Sequence, residues 1–168
     1  MTLRYKPMPS DLAARYRRRA PDAYGLVPEL HVSDGDGMPC RHCLANIAVG
    51  DPYLILAYRP FPTLQPYAET GPIFLHAEEC DAYAGGEAVP PILTTSKDYL
   101  LRGYGADDRI IYGSGAVTPV DELDARAAEL LERPEIAYVH VRSARNNCYQ
   151  CRIDKVDVPA FADAALAI

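Results

Sequence analysis

The sequence predicts an α+β domain, a mainly antiparallel sheet with a few short helices packed on it. Short apolar runs closed by proline, glycine or asparagine recur along the chain and read as strands. One segment, 119–133, carries apolar residues at helical spacing. Fifteen prolines and eleven glycines are spread through 168 residues, so the elements are short and the loops many. That length fits one domain, and no repeat or low-complexity tract marks a boundary. The expected organisation is a single domain over 1–168. It has an irregular or helical arm over 1–38, a core over 39–156 and a C-terminal helix over 157–168.

Ser10 and Asp11 can cap a short helix over Leu12 to Arg19, with Leu12 and Tyr16 on one face. Residues 21–39 read as irregular. The stretch Ser33-Asp34-Gly35-Asp36-Gly37 lacks the spaced carboxylates and closing glutamate of a calcium loop. Tyr53 to Tyr58 reads as a buried strand and Pro72 to Leu75 as another. His76 to Tyr83 reads as a helix stopped by Gly85-Gly86. Tyr99 to Tyr104 and Arg109 to Tyr112 are strand candidates joined by a turn at Gly105 to Asp108. Thr118, Pro119 and Asp121 form a capping-box pattern for the next helix. Val120, Leu123, Ala127, Leu130 and Leu131 line one face of it, and Pro134 ends it. Ile136 to Arg142 and Tyr149 to Val156 read as the arms of a hairpin around the asparagine-bearing loop Ser143 to Asn147. Asp157-Val158-Pro159 opens the terminal helix.

The net charge of −6 argues against a general role on nucleic acid or anionic membrane. The arginines at 4, 15, 17, 18 and 19, with Lys6, make a basic stretch that reads as a solvated helix face, since no nucleic-acid module accompanies it. No apolar run reaches the ~20 residues of a membrane span, and the first residues lack a secretory pattern. A cytoplasmic protein with reduced thiols is the expectation.

Cys40-Arg41-His42-Cys43 and Cys148-Tyr149-Gln150-Cys151 are two C-x-x-C units. Two residues between thiolates let a tight turn aim both sulfurs at one point, and two such turns make a tetrahedral four-thiolate site for zinc. The candidate metal ligands are therefore Cys40, Cys43, Cys148 and Cys151. His42, His76 and Cys80 are further possible ligands. Neither second cysteine is followed by glycine, and a strand beginning at Cys148 would send Cys148 and Cys151 to opposite faces. Buried free thiols and a redox dithiol are the competing readings.

A second constellation lies on the 136–142 strand. Tyr138, His140 and Arg142 alternate with Ala137, Val139 and Val141, which puts the polar trio on one sheet face. His140 and Arg142 can hold a carboxylate or phosphate; a wet face or a core histidine is the plainer reading. Glu69, in the rigid loop Pro66 to Pro72, and His76 can meet as a base and its partner. No P-loop, dinucleotide, nucleophile-elbow or zinc-protease motif occurs.

The blocks Pro39-Cys40-Arg41-His42-Cys43-Leu44, Tyr67-Ala68-Glu69-Thr70-Gly71-Pro72-Ile73-Phe74-Leu75-His76 and Tyr138 to Arg145 with Cys148 resemble the bacterial family called domain of unknown function 1203. Their order and spacing agree from Pro39 to Lys155. The resemblance implies a small bacterial α+β domain and no established activity. Two functional readings follow from the residues. One is a binding or interaction domain with a structural zinc on the four cysteines and a small-molecule or protein partner. The other is a small enzyme or ligand-binding protein. Its pocket would use His76, His140, Arg142 and Glu69, with Cys148 or Cys40 as nucleophile.

Overall fold

Among the described residues, eight strands form two antiparallel sheets. In chain order they are β1 (Thr2–Lys6), β2 (Glu29–Val32), β3 (Pro52–Tyr58), β4 (Gly71–His76), β5 (Asp98–Tyr104), β6 (Ala116–Pro119), β7 (Tyr138–Ser143) and β8 (Tyr149–Val156). The five-stranded sheet runs β1-β8-β7-β5-β6 and the three-stranded sheet β2-β3-β4. Among the described residues, two α-helices, α1 (Ser10–Arg17) and α2 (Leu123–Glu132), pack on them. The structure is a computed structural model and describes residues 2–35, 37–85 and 89–156. The terminal helix expected over 157–168 lies outside the described residues.

The large sheet buries both faces of its central strand, and so five successive residues of β7 are buried. One face, carrying Leu101, Val139, Val141, Cys151 and Ile153, meets Leu123, Ala127, Leu130 and Leu131 of α2. The helical spacing in the sequence reported this face correctly. The other face carries Tyr104, Tyr138, His140 and Arg142, with Phe61 packed on Tyr104 and His140. All of these are buried, so the polar face is not wet. The small sheet has its own core, where Leu54, Leu56, Ile73 and Leu75 join Ala13 and Tyr16 of α1.

Several expectations are corrected. Thr2–Lys6 is neither irregular nor helical; it pairs along its whole length with β8, from Thr2 opposite Val156 to Lys6 opposite Arg152. Tyr5, fully buried, explains why: its ring joins the α2 core and its hydroxyl donates to Asp124 at 2.5 Å. Residues 109–112 do not form a strand; β5 turns back onto β6 instead, with Tyr99 opposite Thr118. Thr118 therefore lies in a strand and does not cap α2, which is entered through a 3-10 turn at Val120–Glu122 with no side-chain cap. No helix forms over 76–83. His76 ends β4 paired with Tyr53, and the N–H groups beyond it are taken by distant carbonyls, Ala77 by Pro52 and Tyr83 by His42. Backbone groups bonded elsewhere cannot form a helical ladder. No helix among the described residues is long and apolar enough to cross a membrane.

Candidate metal centre and polar cleft

Residues 39–46 make a tight loop against the small sheet. Pro39 bridges Asn46, Cys40 bridges Phe74, and the N–H of Leu44 donates to the carbonyl of Cys40 at 3.0 Å. Leu44 closes the turn with φ +52, the left-handed conformation that glycine usually supplies. Its side chain is fully buried in the α2 core, so packing holds a backbone shape that costs a non-glycine residue about 1–2 kcal/mol. A glycine after Cys43 is thus not required for the knuckle-like turn.

The turn aims Cys40 and Cys43 at the end of β4. There the ligand atoms of Cys40, Cys43, His76 and Cys80 all lie within 4.8 Å of one another. The Sγ atoms of Cys40 and Cys80 are 3.9 Å apart, and Cys43 Sγ is 3.6 Å from His76 Nδ1. A tetrahedral zinc with Zn–S bonds of ~2.3 Å and Zn–N bonds of ~2.0–2.1 Å needs separations of about 3.8 and 3.6 Å. These two separations match that geometry, and the other pairs lie within 4.8 Å. Cys40 is buried and the other three are half-buried.

Electrostatics points the same way. Hydrogen bonds from Cys43 and Cys80 favour the thiolate of Cys40 and push its pKa down, and those same bonds push the Cys43 and Cys80 thiols up. His76 is drawn upward by its hydrogen bond with Cys40. Three sulfurs this close cannot all ionise alone; a dication removes the conflict. Around them is a ring of donors. Arg17 Nη2 donates to Cys80 Sγ at 3.0 Å, and Arg17 Nε to the carbonyl of His76 at 3.2 Å. His42 Nδ1 is 3.3 Å from Cys80 Sγ, and its Nε2 is 2.9 Å from Ser10 Oγ. His42 thus sits between Ser10, Cys80 Sγ and Arg17, whose Nη2 is 3.5 Å from Nδ1, and its tautomer sets which of them it donates to. These contacts fix the sulfurs and place positive charge and donors beside the Cys40 thiolate and its neighbours.

The second C-x-x-C does not join this cluster. Strand geometry separates its cysteines: Cys151 is sealed in the core beneath α2, and Cys148 sits at the end of the hairpin on the cleft side. The two units still touch, through Arg41 rather than an ion. Its buried guanidinium donates from Nε to the carbonyl of Tyr149 at 2.6 Å and from Nη1 to that of Pro39. Burial lowers its pKa to about 10, which leaves it charged.

Glu69 and His76, expected as a pair, stand at opposite ends of β4. Glu69 instead faces two arginines. Arg102 Nη1 donates to both its oxygens at 2.9 Å, and Tyr104 donates to Oε2 at 3.0 Å. Arg142 Nη2 lies 3.1 Å from Oε2, an ion pair without hydrogen-bond alignment, so Nε and Nη2 of this buried guanidinium have no directed acceptor. The Glu69 carboxyl is held below its ordinary range: burial opposes this, and the Arg142 charge and the Arg102 hydrogen bond outweigh it.

His140 is enclosed by the rings of Phe61, Tyr104, Tyr138 and Tyr149, with centroids 4.6–5.1 Å away. Desolvation, and then the charges of Arg142, Arg152 and Arg102, drive its pKa well below the ordinary value. It is a neutral core histidine at pH 7. Because the folded state resists the proton and the unfolded chain accepts it near pH 6.5, this group's contribution is complete above that pH. It is lost as pH falls below 6.5, with a slope of up to about 1.4 kcal/mol per pH unit. His140→Phe is expected to flatten the decline between pH 7 and 5.5, read from urea midpoints. Equal declines in both proteins would contradict the assignment.

Sequence reasoning named Cys40, Cys43, His76 and Cys80 but did not assemble them. It missed Arg17, Ser10, Arg41 and Arg102. Arg41 and Arg102 carry a weak signal, a charge inside a C-x-x-C and a charge alternating with Leu101 and Gly103; Arg17 carries none beyond its place on α1.

The fold and cluster define a small α+β domain with a candidate Cys3His metal centre. The chain belongs to the family described as Protein of unknown function (DUF1203), matched over residues 37–155. That span includes all four clustered ligands, Glu69, His140, Arg142 and Cys148. No curated protein and no solved structure matches this chain.

Proposed function

We propose that this chain is a binding domain whose small sheet is fastened by a structural zinc ion held by Cys40, Cys43, His76 and Cys80. The convergence of these four donor atoms within 4.8 Å carries the reading. Three thiolates and one imidazole are a zinc donor set, and four protein ligands leave no position for substrate, which is the pattern of structural rather than catalytic sites. The ligands come from the 39–46 turn, from the end of β4 and from the segment after it. An ion there joins three pieces of chain that share few backbone hydrogen bonds.

The test is elemental analysis of protein purified without added metal. About one zinc per chain is expected. Cys43→Ser and Cys80→Ser should each lose it, and Cys151→Ser should keep it. Zinc lost equally in Cys151→Ser but kept in Cys80→Ser would favour the four-cysteine set, and metal-free wild-type protein would remove the proposal.

A further inference from the structure

A cleft of about 320 Å³ opens where the hairpin loop 146–149 meets the loop before β4. Its walls combine the rings of Tyr58 and Tyr149, Pro60 and Pro72 with the polar groups of Glu69, Arg142, Asn146, Asn147 and Cys148. Neither the metal cluster nor the α2 core uses it. From the charge and donor balance of these walls we infer that the cleft is a binding site for a small organic carboxylate, with Arg142 as the anchor for its head group and the tyrosine and proline walls against its body.

Two guanidiniums face one carboxylate here. The Glu69 carboxylate is already filled: Arg102 takes both its oxygens, Tyr104 donates to one, and Asn147 Nδ2 donates to the other at 3.4 Å. All these hydrogen bonds are made without Arg142, which adds only its charge. Arg142, by contrast, has only the carbonyl of Asn147 as an aligned acceptor, at 3.1 Å from Nη1. Its Nε and Nη2 are buried without one, and the side chain is 5% exposed. Arg142 thus pairs with Glu69 by charge alone, and its unaligned donors are the spare ones. The other nearby cation, Arg152, is matched by Asp154 at 2.5 Å, and His140 is neutral. The excess around the cleft is therefore positive.

A planar carboxylate suits the guanidinium fork. The apolar walls favour an organic acid over a bare inorganic ion, because burying rings and methylenes adds affinity that an ion cannot gain. Asn147, with φ +56, is held in the left-handed region at the rim, where its carbonyl and amide contact Arg142 and Glu69. A ligand that engages Arg142 must displace or share that carbonyl, so the loop 146–148 reports on binding.

This site deepens the binding-domain reading and does not depend on the ion, since no cleft residue is a clustered ligand. Benzoate is the probe, benzamide its neutral isostere and inorganic phosphate the ion control. Zinc content is measured on every sample, so loss of the metal reading and loss of this one are seen separately. In amide NMR titrations of the full chain, benzoate is expected to move the resonances of 69–71 and 146–149 saturably, and benzamide is not. Arg142→Lys should weaken benzoate by about tenfold or more, since an ammonium lacks the fork. Asn147→Asp, which tolerates the same backbone conformation, keeps the proposal testable if Arg142→Lys does not fold. The second carboxylate at the rim should weaken benzoate by about tenfold as well. No saturable shift with benzoate, an equal response to benzamide, or phosphate competing at equal affinity would each overturn the assignment.

Discussion

Removing metal with a strong chelator is expected to lower the melting temperature by about 10 °C or more. Structural zinc contributes on the order of 10 kcal/mol to small folded units, against a total domain stability of about 5–15 kcal/mol. In a chain of this size each kcal/mol moves the midpoint by about 2–4 °C. The loss should be local first. The 39–46 turn and the 77–85 segment have few ladder hydrogen bonds of their own, and Cys80 is fixed mainly by its neighbours in the cluster. Limited proteolysis after chelation should therefore cut in 77–85 before it cuts the large sheet. Cys80→Ser should begin with the lower midpoint and show no further response to chelator, while Cys148→Ser keeps the wild-type response. A midpoint unmoved after verified metal removal would sink the structural role.

Truncating α2 at its buried face should cost nearly as much. Leu123 is fully buried and Leu130 is 1% exposed, and both join the core formed by Leu101, Val139, Val141 and Ile153. Leu123→Ala and Leu130→Ala are each expected to destabilise by ~2–5 kcal/mol, through lost transfer energy plus the cavity left behind. Urea unfolding reads this directly, with the slope unchanged and the midpoint lowered. A cost below about 0.5 kcal/mol at both positions, the level of ordinary surface changes, would mean that the helix is not seated on the sheet. Because Leu44, beside Cys43, shares this core, zinc content measured alongside separates loss of packing from loss of the ion.

What the sequence revealed follows from how local each signal is. β3, β7, β8 and α2 were legible because each carries its burial pattern within its own residues: an apolar run, an alternation, a helical stripe. β1 was not, since Thr2-Leu3-Arg4-Tyr5-Lys6 is a polar edge segment whose reason to be extended is β8, at the far end of the chain. β2 is exposed throughout and carries no burial signal at all. The same distinction explains the metal cluster. The 40–43 pair was readable as a chelating turn because two positions suffice. His76 and Cys80 looked like neighbours on a helix, and only the pairing of β4 with β3, with the backbone beyond it bonded to Pro52 and His42, turns both towards Cys40. The polar trio of β7 was placed on one face correctly, but its burial depended on Phe61 and Glu69 arriving from a separate loop. No period within the strand could report that.

The pairing of β1 with β8 has a consequence for how the molecule comes into being. Tyr5 is made well before its partner Ile153, so this edge of the large sheet waits for β8 to follow. Contacts of such long sequence separation close slowly, because the loop entropy is spent before any pairing repays it. During that interval the growing chain can assemble the small sheet, which is complete by His76. The four clustered donors would thus be made before α2, whose core then closes around Leu44 and locks the turn. An N-terminal extension that hinders β1 should slow the final consolidation of the large sheet and leave metal capture untouched.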